Sequence, residues 1–122
     1  NAARDKVAGA VNLTSPQLES WLKALNIVRN IAAHHGRMYN RVYGKTPRLP
    51  RRETHPEVLF CVGAMNRIFG QATLIQYLLR VLKVGNLKIL PSVFKTFPEN
   101  EIVPFWSTGA PDGWIQSGLW KL

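Results

Sequence analysis

An arginine, an amide and two imidazoles crowd one short run of this chain: Arg29, Asn30, His34 and His35. A guanidinium holds a phosphate through a planar fork of donors. An imidazole moves protons near neutral pH. Asn30 and His34 stand four residues apart, so on a helix their side chains are neighbours. The three residue types together point to chemistry on a phosphodiester, provided the chain lets them meet.

The stretch that must position them starts at Thr14-Ser15-Pro16-Gln17, a hydroxyl cap followed by Pro in the first turn. Gly36 is the expected stop. The spacing predicts a helix of about twenty residues between them. At about 100° per residue, Leu18, Leu22 and Leu25 share one line, Trp21, Val28 and Ala32 flank it, and Ala24, Ile31 and Ile27 continue round. A helix this apolar is expected to be buried. Its polar strip holds Glu19, Lys23, Asn26, Asn30 and His34. Arg29 falls instead among the leucines, roughly 140° from His34. A guanidinium buried there without a partner costs several kcal/mol. Two readings stay open at this level. Arg29 snorkels or pairs with a buried carboxylate while the histidines are satisfied core residues, or the groups converge because Arg is long or the site draws on more than one helix.

The wider string Arg29-Asn30-x-x-Ala33-His34-His35-x-Arg37-x-x-Asn40 resembles the signature of Abi-like (abortive infection, AbiD/AbiF-type) proteins, bacterial members of the HEPN superfamily. Their ribonucleases carry an Arg, four to six residues, then a His, with a polar residue after the Arg. Both His34 and His35 satisfy that spacing. Met38-Tyr39 departs from the Leu-Trp common there, conservatively in bulk. The tail Gly109-Ala110-Pro111-Asp112-Gly113-Trp114, with Leu119-Trp120, also resembles the way Abi-like chains end. The likeness runs from about Ser15 to the last residue, densely in the motif and loosely elsewhere. It implies an all-α HEPN-type helical bundle, metal-independent RNA cleavage and a symmetric dimer. Because Abi-like proteins extend further N-terminally, these 122 residues are expected to be one helical domain from the C-terminal part of a longer protein.

Charge agrees with a polyanionic partner. The chain carries 16 Lys and Arg against 7 Asp and Glu, a net charge of +9. No acid lies between Trp21 and Arg52, while Lys23, Arg29, Arg37, Arg41, Lys45, Arg48, Arg51 and Arg52 all do. A region of one sign attracts nucleic acid; a solvated basic loop serving solubility is the plainer alternative. Arg37, Tyr39, Asn40, Arg41, Lys45 and Arg48 are the candidate RNA contacts. Tyr39 and Tyr43, interleaved with arginines, either stack bases or pin the loop to the bundle.

Several chemistries are poorly served. His34, His35, His55 and Cys61 are the soft ligands, but no C-x2-C or H-x3-H pair exists, so no zinc site is expected. Glycine-rich nucleotide loops are absent, and no cofactor is implied. Seven scattered acids do not build a two-metal nuclease. The lone Cys61 rules out an internal disulfide and fits a reducing compartment, so a cytoplasmic protein is expected. No apolar run spans a membrane and no secretory signal is visible.

Along the chain, Asn1 to Leu13 reads as a short helix. Gly36 to Pro56 is loop-like, punctuated by Gly44, Pro47, Pro50 and Pro56. Glu57 to Phe69 has helical spacing, Gly70 is a candidate break, and Thr73 to Val84 continues, two pieces or one kinked helix. Cys61 and Met65 read as core filler. Asn86 to Phe97 is a shorter helix interrupted near Pro91. From Pro98 onward an irregular tail is expected to pack on the bundle, with Trp106, Trp114 and Trp120 plugging grooves.

The chemistry expected is attack by a 2′-hydroxyl. His34 serves as base or acid, with His35 as rival. Arg29 holds the scissile phosphate, and Asn30 orients the imidazole or donates to the phosphate. A non-catalytic RNA-binding or regulatory module of an abortive-infection system is the alternative, a purely structural dimerisation domain the third. Expected partners are RNA, a second copy of the chain, and an antitoxin RNA or protein.

Overall fold

The computed structural model describes residues 2–34, 41–44, 46–51, 54–60, 63, 65–97 and 104–121. Within them the protein is all-α. Helix α1 is Ala2–Ala10, α2 is Ser15–Ala33, α3 is Pro56–Leu59, α4 is Ile68–Leu82 and α5 is Ile89–Lys95. Two 3-10 turns, Phe105–Thr108 and Trp114–Gln116, follow. No strand occurs among the described residues.

The α2 start matches its sequence signal. Thr14 caps the helix: its Oγ1 accepts from Gln17 N–H at 3.3 Å, and Gln17 Oε1 accepts from Thr14 N–H at 2.9 Å. This reciprocal pair satisfies two donors that a helix N-terminus leaves orphaned. Ser15 Oγ also donates to Asp5 of α1, tying the two helices together.

The buried helix is α4, not α2. Phe69, Gln71, Ala72, Thr73, Leu74, Gln76 and Tyr77 of α4 are all buried. Phe69 is the hub of an aromatic cluster. It stacks on Trp120 (centroids 4.8 Å, 27°) and meets Phe94 (5.2 Å, 77°) and Trp114 (5.8 Å, 70°) edge to face. Such arrangements complement the ring quadrupoles. Trp120 Nε1 donates to Thr73 Oγ1 at 3.3 Å, and Gln76 Nε2 donates to Leu87 O (2.8 Å) and Leu119 O (3.2 Å). The tail is therefore part of the core. Gly109 (φ +87°) and Gly113 (φ +75°) make the two left-handed turns that let it fold back.

Several expected boundaries move. Of the helix expected over Glu57 to Phe69, the described residues show α3, a single turn, and the first turn of α4 from Ile68 on, with a turn at 65–67 between them. Arg67 and Met65 lie in that turn, where Gln71 Nε2 bonds Met65 O at 2.7 Å. Gly70 does not break α4, because it sits in the first turn, where a missing side chain costs least. Pro91 does not interrupt α5 for a related reason: it is the third residue of that helix, and an N–H there has no intrahelical acceptor to lose. Trp106 is 69% exposed and plugs nothing, whereas Trp120 is 1% exposed and Trp114 partly buried. Met65 is core filler as expected; Cys61 lies outside the described residues.

Candidate functional site

Helix α2 buries only Trp21, Ala24 and Val28. At about 100° per residue these three span an arc roughly 90° away from the Leu18–Leu22–Leu25 line. Leu22 on that line is 54% exposed. The expectation of a helix buried over most of its circumference is corrected accordingly: the core contact is rotated by a quarter turn. The reason is Trp21, the largest side chain available to α2, fully buried and stacked edge-on against Tyr77 of α4 (5.5 Å, 71°).

The rotation changes the situation of Arg29. It is exposed, not buried among leucines, and neither snorkels nor needs a buried carboxylate. Asn30 and His34 are exposed as well. All three point into the solvent half of α2, with Asn30 between the other two in angle. Arg29 Nη1 donates to Asn30 Oδ1 at 3.0 Å. His34 is the C-terminal cap, its N–H donating to Asn30 O at 3.1 Å and to Ala32 O. Asn30 thus touches Arg29 through its side chain and the His34 residue through its backbone. The helix ends at Ala33, three residues ahead of the expected Gly36. The rival His35, together with Gly36, Arg37, Tyr39, Asn40 and Lys45, lies outside the described residues.

A satisfied core histidine does exist, and it is His55. It is 5% exposed; Nδ1 lies 2.7 Å from Thr54 Oγ1 and Nε2 lies 2.8 Å from Asn12 O. Among the described residues no cluster of three or more His, Cys, Asp or Glu gathers.

The loop that follows the motif is pinned to the bundle. Tyr43 is 4% exposed and its N–H donates to Asn66 O at 2.8 Å. Burial pushes its phenol above the usual value, with the nearby charge of Arg41 pulling partly back. Of the two uses open to Tyr43, base stacking is therefore ruled out and anchoring stands. Arg41 is partly buried and engaged. Arg48 is exposed but its backbone is clamped to α2: Arg48 N–H donates to Ser20 Oγ, and Arg48 O accepts from Trp21 Nε1 at 2.7 Å. Ser20 lies ten residues before Asn30, which is about 15 Å along a helix. Arg48 is accordingly held at the far end of α2 from the Arg29–Asn30–His34 group. Lys23, Ser20 and Thr46 line a cleft with Arg48; the sequence placed Lys23 on the polar strip but did not single out Ser20 or Thr46. The available signal was that Lys23 is seven residues before Asn30 and so on the same helix face.

Arg29, Asn30 and His34 are thus exposed together at the C-terminal end of one helix of an all-α fold. A family model described as Abi-like protein matches residues 1–40, covering α1, α2 and the whole motif. This supports an Abi-like family for about the first third of the chain, including the N-terminal helix that the resemblance left out; the likeness in the tail lies outside the match. No curated protein and no solved structure matches. No helix among the described residues is long and apolar enough to cross a membrane.

Proposed function

We propose that this protein is a metal-independent endoribonuclease of the phage-defence or toxin type, a cytoplasmic HEPN-like domain working as a homodimer. The observation that carries this reading is the solvent-exposed group at the end of α2, with Arg29 held 3.0 Å from Asn30 and His34 one turn on. The match to an Abi-like family over residues 1–40 and the acid-free basic segment support it.

Arg29 and Asn30 donate to the non-bridging oxygens of the scissile phosphate, stabilising the charge of the pentacoordinate transition state. His34 removes the 2′-hydroxyl proton as the O2′–P bond forms. The P–O5′ bond then breaks and the leaving oxygen takes a proton from an acid, leaving a 2′,3′-cyclic phosphate. One chain carries one such group, and a second copy supplies the acid. Two features favour that second copy. Leu22 is 54% and Val7 61% exposed, and a groove of about 350 Å³ between α1 and α2 is lined by Ala3, Val7, Leu18 and Leu22, with Arg4, Ser15 and Glu19 at its polar edge. Arg29 sits on the same line as Leu18, Leu22 and Leu25, so covering this apolar face brings Arg29 to the interface. An antitoxin RNA or protein would hold such an enzyme in check.

The alternative is a non-catalytic RNA-binding or regulatory module, favoured by the angle between Arg29 and His34 within one chain. The test is cleavage of single-stranded RNA in EDTA by the wild type, Arg29→Ala and His34→Ala. Cutting by the wild type and a decrease of about a hundredfold or more in each variant supports the enzyme. Equal RNA binding by all three with no cutting establishes the module instead. Leu22→Glu is expected to abolish both the dimer, read by sedimentation, and activity; a monomer that still cuts removes the dimer alone.

A further inference from the structure

The clamp on Arg48 builds a second polar site on α2. Residues 46–48 lie over the first turns of the helix and enclose a cleft of about 330 Å³, lined by Pro16, Glu19, Ser20, Lys23, Thr46 and Arg48. Its functional groups are two cations, two hydroxyls and one carboxylate. Glu19 Oε1 lies 3.2 Å from Lys23 Nζ, but both side chains are more than half exposed, at 55% and 64%. Exposed pairs of this kind hold weakly, and an ammonium has three donors to offer. The Ser20 hydroxyl accepts from Arg48 N–H and carries a donor of its own. Trp21, buried completely, fixes the Arg48 carbonyl, so the Arg48 side chain springs from an anchored backbone. Anchoring the loop backbone beforehand lowers the entropic cost of engaging a ligand.

Register ties this cleft to the Arg29–Asn30–His34 group. Glu19, Lys23, Asn30 and His34 fall within a sector of about 60° on α2. Along the axis, Asn30 is about 10 Å and His34 about 16 Å beyond Lys23. A stacked strand advances about 3.4 Å per nucleotide, so the two sites stand about three to five nucleotides apart on one continuous face.

We propose that the cleft formed by Ser20, Lys23, Thr46 and Arg48 is a phosphate-binding subsite for single-stranded RNA. It grips the backbone three to five nucleotides from the linkage held at Arg29, Asn30 and His34; that second clause rests on the ribonuclease reading, whereas the grip itself does not. The subsite reads no sequence, since phosphate contacts position a strand without specifying it.

The experiment measures affinity for a single-stranded octanucleotide RNA against salt, using the full chain with His34→Ala so that the RNA persists. The cleft pair, Lys23→Ala with Arg48→Ala, is compared with a control pair, Lys88→Ala with Lys95→Ala, which removes equal charge from exposed positions on and before α5. The cleft pair is expected to lower the slope of log K on log salt by about 1.4, or about 0.7 for each phosphate no longer neutralised, and the control pair by less than half of that. The His34→Ala parent binds the octanucleotide more tightly than a dinucleotide, and the cleft pair in that background does not. Equal slopes for the two pairs, or a cleft pair that still prefers the longer strand as the His34→Ala parent does, overturns the subsite. If wild-type protein leaves RNA uncut in EDTA while the cleft pair still differs from the control, the subsite stands and the nuclease reading alone fails.

Discussion

Helices α2 and α4 are built from similar amounts of apolar sequence, yet one is a surface and the other a core. The difference lies in their polar residues. Between Ile68 and Leu79, α4 has no charge; its polar members are Gln71, Thr73 and Gln76. These are neutral groups that a backbone can satisfy, as Gln71 does with Met65 O, Thr73 with Phe69 O and Gln76 with Leu87 O and Leu119 O. Helix α2 carries Glu19, Lys23 and Arg29, whose desolvation no such partner offsets. It therefore buries only Trp21, Ala24 and Val28 fully, packs Leu18 and Leu25 against the edge of the core, and keeps its charges in water. The count of apolar residues does not decide burial here; the kind of polar residue between them does.

The largest expected effect breaks the core side of this contrast. Trp120→Ala empties the stack on Phe69 and is expected to cost about 3–5 kcal/mol, read by chemical denaturation. Exposed α2 residues should instead dissociate stability from function. His34→Ala is expected to lower RNA cleavage by about 10²–10⁴-fold and Arg29→Ala by about 10²–10³-fold, each with unfolding free energy within about 0.5 kcal/mol of wild type. A destabilisation of either as large as that of Trp120→Ala would place the group in the core after all. Gln76→Ala comes next. It removes the donor that ties Leu87 and Leu119 carbonyls to α4 and is expected to cost about 1–3 kcal/mol, less than the Trp because the Gln76 Oε1 has no partner among the described residues and its own burial is already unfavourable.

The same contrast explains what the residues disclosed and what they hid. The Thr14 cap and the start of α2 were legible because that signal is local. So was the packing of the tail, since Trp114, Leu119 and Trp120 have few other places to go. The orientation of α2 was not legible: its apolar residues cover most of its circumference, so periodicity alone left the buried arc free to rotate. Trp21 settled it through Tyr77, a residue far along the chain in α4. The turn between α3 and α4 was hidden for a similar reason, because Leu59 and Phe69 fit one helical stripe whether or not the chain turns between them. Within the site, the Arg29–Asn30 contact was not legible, since adjacent residues on a helix do not face each other, and the cleft at Arg48 depends on a loop-to-helix clamp that no local pattern encodes.

Tyr77 is where the two helices meet, and it offers the smallest but sharpest test. Its ring packs on Trp21 of α2, and its hydroxyl donates to Val11 O at 2.8 Å, in the link between α1 and α2. Burial raises its pKa above the usual 10.0, and the charge of Glu57 adds to the shift. A folded phenol that holds its proton more tightly than the unfolded one contributes stability that is complete below the unfolded value and lost as pH climbs through the folded one. Tyr77→Phe keeps the ring and leaves Val11 O unpaired, so it is expected to cost about 1 kcal/mol near neutrality. The gap from wild type should narrow above about pH 10, because the variant no longer has this group to ionise. Tyr43, raised by its own burial, leaves a residual alkaline slope in both proteins. Urea melts on either side of that pH decide the matter: a gap that stays constant would mean that Tyr77 joins α4 to α2 through its ring alone.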